Sequence, residues 1–239
     1  MTATPRSHHS DLGALFRHAA DLAATFRDSL PHRRVASEVD IDGALALFEA
    51  DLPEGPSDPD AVLDELARLA DPGIVASAGP RFFGFVNGGA LPAASAADML
   101  TIGWDHPAFN AVLSPADAAA ERVAGTWVKR LLGVPATASV GFVTGAQAAN
   151  TVGIAAARQH LLTQRGHDVG TRGLTGAPPI RVLASRERHA TIDASVRLLG
   201  LGTACVQPVA AGSNGDMDMA DLRRALDAGD HDASTIVVL

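Results

Sequence analysis

The feature that most constrains this chain is the order of apolar runs and helical stretches in its second half. Short segments that read as strands, at residues 139–143, 180–184, 203–208 and 235–239, alternate with stretches of helical spacing at 146–162, 191–199 and 219–226. Strand–helix alternation of this kind predicts an α/β domain with a largely parallel sheet. Ile236-Val237-Val238-Leu239 is continuously apolar, the pattern of a strand buried on both faces. A domain rarely stops on such a strand, so the expectation is a truncated sequence. At 239 residues the chain is sized for one to two domains. Its 47% hydrophobic residues suffice for a sizeable core.

Ahead of this alternation the pattern is helical. Residues 1–10 carry no apolar pattern and are expected to be a disordered tail. Leu12, Leu15, Phe16, Ala19, Leu22, Ala23 and Phe26 form a helical stripe that Pro31 closes. A second helix is expected over 41–49. Asp58 reads as an N-cap with Pro59 at the first helical position, and Val62, Leu63, Leu66 and Leu69 supply the apolar face. Residues 11–75 therefore read as a helical arm and 76–239 as the main domain. Ser114-Pro115-Ala116-Asp117 has the composition of a helix start, and Gly133 and Pro135 of its stop.

Charge narrows the partners. Lys+Arg 19 against Asp+Glu 27 gives a net −8, unlike the basic surface of a nucleic-acid binder. The lone Cys205 excludes a disulfide framework and a cysteine metal site. His160 and His167 lack a clear third ligand, so no metal is expected. Charges between Arg6 and Asp28 break any signal-peptide core, and a cytoplasmic location is the default expectation. Residues 131–157 hold no charge, but Pro135, Gly141 and Gly145 interrupt them, and no membrane span is expected.

Two segments have the composition of a ligand site. In Gly141-Phe142-Val143-Thr144-Gly145-Ala146-Gln147-Ala148-Ala149-Asn150, a strand is expected to run through small residues into a helix. The unpaired N–H groups and positive dipole end of that helix would form a phosphate cradle. His189 follows the strand at 180–184 and falls on the same carboxyl edge of the sheet as the 144–147 turn, where open parallel sheets bind ligands. A third segment, Arg81-Phe82-Phe83-Gly84-Phe85-Val86-Asn87-Gly88-Gly89-Ala90-Leu91-Pro92, places three phenylalanines among glycines, as in a loop packed in a crevice or in ordinary core.

These three segments, with Leu198-Leu199-Gly200-Leu201-Gly202, resemble the pyridoxal-phosphate-dependent group II amino-acid decarboxylases. The resemblance runs from about Asp11 to Leu239. It implies an N-terminal helical arm followed by part of the aspartate-aminotransferase-like (fold type I) large domain, pyridoxal 5'-phosphate as cofactor, an L-amino acid as substrate, and a homodimer with sites at the interface. It implies that Thr144, Gly145, Ala146 and Gln147 hold the phosphate. Many members carry Ser or Thr where this chain has Gln147. His189 would stack on the cofactor ring and serve catalysis. Phe85, Val86 and Asn87 would line the substrate pocket, and Phe109 would reach it from the partner subunit.

The same chemistry needs a lysine for the Schiff base. The chain's single lysine, Lys129, falls in an amphipathic helix between Trp127 and Leu131. Two main readings follow. One is the N-terminal part of a decarboxylase whose reaction belongs to the complete protein, the 239 residues alone being inactive. The other is a non-catalytic remnant or dimerising scaffold. Another fold type I reaction, such as transamination, is a third.

Overall fold

The structure, a computed structural model, describes residues 11–228 and 233–239. The tail expected at 1–10 lies outside the described residues. The chain divides into two compact units, one reaching to His106 and one running from Pro107 to Leu239.

The first unit is helical. Its helices are α1 (Leu12–Ser29), α2 (Ile41–Phe48), α3 (Pro59–Ala70) and α4 (Pro92–Trp104). Aspartates start the first three. Asp11, Asp40 and Asp58 accept the N–H of Gly13, Gly43 and Ala61 at 3.0, 2.9 and 3.1 Å, which satisfies amide groups that have no partner within a helix. His18 reaches Asp64 at 2.7 Å and joins α1 to α3. Arg33 lies 4.6 Å over the Phe26 ring and pairs with Asp71 at 2.6 Å. None of the four helices contains a fully buried side chain. Leu12, Phe16, Val62 and Leu66 are exposed, although the sequence puts them on apolar stripes. The buried hydrophobic residues among those described here are Leu30 and Ala76.

The second unit holds α5 (Pro115–Leu132), α6 (Ala146–Gln164), α7 (Val169–Arg172), β1 (Ile180–Ser185), α8 (Ala190–Leu198), β2 (Val206–Val209), α9 (Met219–Asp227) and β3 (Ser234–Val238). The strands form a parallel sheet in the order β2-β1-β3. Val182 pairs with Val206 on one side and Ile236 on the other. Because strand side chains alternate between faces, Val182 and Ala184 pack with Ile154, Ile192, Val196 and Ile236 under α6 and α8. Leu183 turns the other way, onto Val209 and Leu222. Helices therefore cover both faces of β1, which explains the apolar run Val182-Leu183-Ala184 at its centre.

Three expectations are corrected here. Residues 139–143 pair with no strand and form no ladder; Val140, Phe142 and Val143 stay exposed, while Val140 lies against Gly125 of α5. An apolar run becomes a strand only where a neighbour takes its N–H and C=O groups. The run at 235–239 is not buried on both faces. β3 stands at the edge of the sheet, with Ile236 buried and Val237 exposed. The strand expected at 203–208 begins with a 3-10 turn, Thr203–Cys205.

Ser114 occupies the N-cap position of α5, but its hydroxyl donates to the Asp117 carboxylate instead of capping an amide.

Candidate cofactor site

The site begins at the turn into α6. Gly145 is the N-cap in extended conformation, φ 165° and ψ 171°. The first backbone bond into the helix runs from Ala149 N–H to the Gly145 carbonyl at 3.1 Å. The N–H groups of Ala146, Gln147 and Ala148 therefore have no carbonyl partner within the helix and carry the positive end of its dipole. A Cβ built on Gly145 would meet nothing within 4 Å, so the backbone lies open at this point. Thr144, Gly145, Gln147, Ala148, Thr151, Val152 and Leu198 line an open groove of about 410 Å³.

The Gln147 side chain is committed between helices. Its amide nitrogen donates to Ser195 Oγ at 3.1 Å and Thr151 Oγ1 at 3.3 Å. Thr151 and Ser195 hydroxyls lie 3.0 Å apart, and Ser195 Oγ donates to the Thr191 carbonyl at 2.7 Å. Ser195 is wholly buried, so these groups satisfy one another where water does not reach. Sequence reasoning passed over Asn150, Thr151, Thr191 and Ser195. The available signal was polar side chains at i, i+3 and i+4 (Gln147, Asn150, Thr151), which share one helix face.

His189 is the N-cap of α8 and is exposed. Its Nδ1 accepts from Thr191 N–H at 3.2 Å and lies 3.0 Å from Thr191 Oγ1, which receives the Asn150 amide at 2.9 Å. The structure thus joins His189 to α6 through Thr191, on the helix pair that Gln147 also bridges. His189 is not among the residues lining the groove. Beside it, Arg188 makes a two-pronged contact with Asp193, at 3.0 and 3.2 Å.

The other expected site residues make no bond in this network. Phe109 is in the second unit, exposed, and is not a groove residue. Phe85, Val86 and Asn87 belong to the first unit and are exposed. Phe85 and Val86 have φ of 54° and 56°, a region costly for any side chain and most of all for a β-branched one. The crevice or core expected around this loop is not built by the described residues of its unit: Phe85 is 92% and Val86 103% exposed. An apolar side chain is buried only where other elements cover it, and the described elements of its own unit do not.

Lys129 has a definite task. Its Nζ donates to the carbonyls of Ala136 at 2.8 Å and Ala138 at 3.0 Å, closing the loop after α5. The buried His167 bonds to the Gly173 carbonyl at 2.8 Å and holds the 166–173 loop. Among the described residues no cluster of three metal-ligating side chains occurs. Among them, too, no helix is long and apolar enough to cross a membrane.

A parallel sheet with helices on both faces and an open, glycine-led helix N-terminus defines an α/β protein with an anion-accepting turn. The chain belongs to the pyridoxal-dependent decarboxylases: the conserved domain of that family matches residues 43–239. Pyridoxal phosphate is the family's cofactor, and amino-acid decarboxylation its general activity. The chain is 30% identical over 155 residues to rat (Rattus norvegicus) cysteine sulfinic acid decarboxylase, covering 65% of this chain and 30% of the relative. It is 25% identical over 187 residues to tyrosine decarboxylase 2 of Narcissus pseudonarcissus, covering 76% and 36%. The crystal structure of mouse CSAD superposes with a TM-score of 0.82 at 22% identity, over 97% of this chain and 48% of that one. The fold is therefore that of the type I pyridoxal-phosphate enzymes, as the sequence resemblance implies. The chain spans about a third of the length of these curated relatives and about half of the solved chain.

Proposed function

We propose that this chain supplies the phosphate-binding part of a pyridoxal-phosphate-dependent decarboxylase of an L-amino acid, working as a homodimer. The observation that carries the reading is the N-terminus of α6, where three N–H groups lack helical partners and a Cβ on Gly145 would meet nothing within 4 Å. The residues fit the phosphate end of the cofactor. The N–H groups of Ala146, Gln147 and Ala148 would hold it, with the Thr144 hydroxyl beside them. Gln147 would contribute its backbone alone, because its side chain is engaged with Ser195 and Thr151.

His189 would orient the ring of the cofactor from the cap of α8. Phe85, Val86 and Asn87 would contact substrate, together with Phe109 from the partner subunit. The unburied stripes of α1 and α3 support an arm that packs against a second copy. The chemistry supplied by bound pyridoxal phosphate is an electron sink for the pair left when a carboxylate departs as CO2.

The covalent end of the cofactor does not fit Lys129. Its ammonium is held by two carbonyls, and a lysine away from the reacting atoms loses the orientation that makes such chemistry fast. Decarboxylation would on this reading depend on a lysine other than Lys129. The commitment of Lys129 also favours a second reading, a non-catalytic dimerising scaffold.

Titration with pyridoxal phosphate, followed by absorbance, borohydride trapping and peptide mapping, separates the two. The decarboxylase reading expects saturable binding without a specific adduct at Lys129, and CO2 release once the chain is expressed with the genomic sequence after codon 239. A single adduct at Lys129 with CO2 release, lost in Lys129→Ala, refutes the assignment of that lysine. No binding in either form leaves the scaffold.

A further inference from the structure

We infer that Thr191 is a positioning residue, which sets the nitrogen of His189 that carries the proton and ties that ring to the helix opening at the phosphate turn. The bonding stands on its own geometry; its importance for the cofactor rests on the reading above. Two groups of Thr191 face His189 Nδ1, the backbone N–H at 3.2 Å and the hydroxyl at 3.0 Å. A backbone N–H can only donate, so Nδ1 must offer its lone pair.

The hydroxyl could donate or accept; because Nδ1 offers its lone pair to the Thr191 N–H, the hydroxyl faces it as a donor, and Asn150 supports that orientation. Its side-chain nitrogen, which only donates, reaches Thr191 Oγ1 at 2.9 Å. That bond occupies a lone pair of Oγ1 and leaves the hydroxyl hydrogen for Nδ1. The neutral ring then carries its proton on Nε2 and presents a donor on its exposed side.

The other polar atom of Thr191 is also engaged. Its carbonyl receives the Ser195 hydroxyl at 2.7 Å and the Gln147 amide at 3.5 Å. Through Oγ1 and the carbonyl, one residue connects two side chains from the start of α6, Gln147 and Asn150, with the capping histidine of α8. Partners that hold one ring nitrogen fix the tautomer and orientation of a histidine. Here that partner residue is itself anchored to the turn.

The experiment is performed on the 15N-labelled full chain without cofactor, at a pH of about 9, above the ordinary imidazole range. Two-bond proton–nitrogen correlations report the tautomer, and the His189 signals are assigned by their loss in His189→Gln. The wild type should show Nε2–H alone. In Asn150→Asp, an acceptor replaces the donor and draws the Thr191 hydroxyl hydrogen to itself; the Nδ1 shift should move toward that of a free imidazole, while Nε2–H persists because the Thr191 N–H still faces Nδ1. In Thr191→Val the Nδ1 shift should move toward that of a free imidazole, and Thr191→Ser should restore it.

A wild-type ring protonated on Nδ1 overturns the inference, and so does an unchanged Nδ1 shift in folded Asn150→Asp. So does an unchanged Nδ1 shift in Thr191→Val, which keeps the test open should Asn150→Asp fail to fold. The cofactor reading is tested apart from this, by titrating the wild-type chain with pyridoxal phosphate. Failure to bind would refute that reading and leave the tautomer result standing.

Discussion

The two units of this chain spend comparable apolar sequence in opposite ways. In the second unit, Val182, Leu183 and Ala184 of β1 are wholly buried between α6 and α8 on one face and α9 on the other. In the first, α1, α2 and α3 carry stripes of equal regularity, yet none of these helices buries a side chain completely. An open groove of about 680 Å³ lies between α1 and α3, lined by Leu22, Phe26 and Leu66 among others. Amphipathic spacing specifies which face seeks burial, not whether the chain itself supplies the cover. The second unit closes its core with its own elements; the first leaves its stripes available to another surface.

The comparison breaks most sharply in the core. Leu183→Ala should cost about 3 kcal/mol, the transfer of the side chain plus the cavity left against Val209 and Leu222. Denaturant unfolding measures it, and a loss below about 1 kcal/mol would mean that the second unit is no better packed than the first.

Next comes the turn. Gly145→Val suits the extended backbone and meets no neighbour. It should leave stability within about 0.5 kcal/mol while weakening pyridoxal phosphate binding about tenfold, roughly 1.4 kcal/mol, as the branched side chain intrudes before the N–H groups. Equal affinity for both proteins would move the phosphate elsewhere.

A smaller effect is expected where β2 meets α9. The Asp221 carboxylate accepts the Ala210 N–H at 2.7 Å and pairs with Arg224 at 3.0 Å. The Ala210 bond, helped by Arg224, holds its carboxyl below the ordinary value of 3.8. A depressed folded-state value stabilises the fold above the ordinary carboxylate range, and that contribution disappears as pH falls through the folded value. Asp221→Asn should accordingly be less stable than wild type at neutral pH, with the gap narrowing in acid. Parallel stability curves from neutral to acid pH would refute this linkage.

The smallest change in stability belongs to the arm. Leu66→Lys should alter unfolding by no more than about 0.5 kcal/mol and yet reduce self-association in sedimentation. If it destabilises as much as Leu183→Ala, the first unit has a core of its own after all and the contrast fails.

Legibility followed locality. Asp58-Pro59 starts α3 as its sequence predicts, and the helical spacings at 191–199 and 219–226 became α8 and α9 with boundaries shifted by a residue or so. The helix α4 was missed, although Pro92 at its first turn was a signal; its Met99, Leu100, Ile102 and Trp104 are exposed and make no clean stripe. The short α7 hid in a glycine-containing loop, begun by the Asp168 side chain on Gly170 N–H at 2.9 Å. At the site, the turn at 144–147 was legible because a helix N-terminus exposes N–H groups whatever surrounds it. The roles of Gln147, Thr191 and Ser195 were not, since each depends on a partner more than forty positions away.

Sequence by itself determined the parallel α/β core, the position of the glycine-led turn into α6 and the aspartate-capped helix starts. These arise from periodicity, small residues and side chains acting within a few positions of themselves. The tertiary structure alone decided that residues 139–143 do not join the sheet and that Lys129 closes a loop. It also decided that Gln147 faces Ser195 and that Asn150 meets Thr191. Hydrogen bonds between distant segments depend on which surfaces packing brings together, and a linear pattern of polar residues does not name its partners.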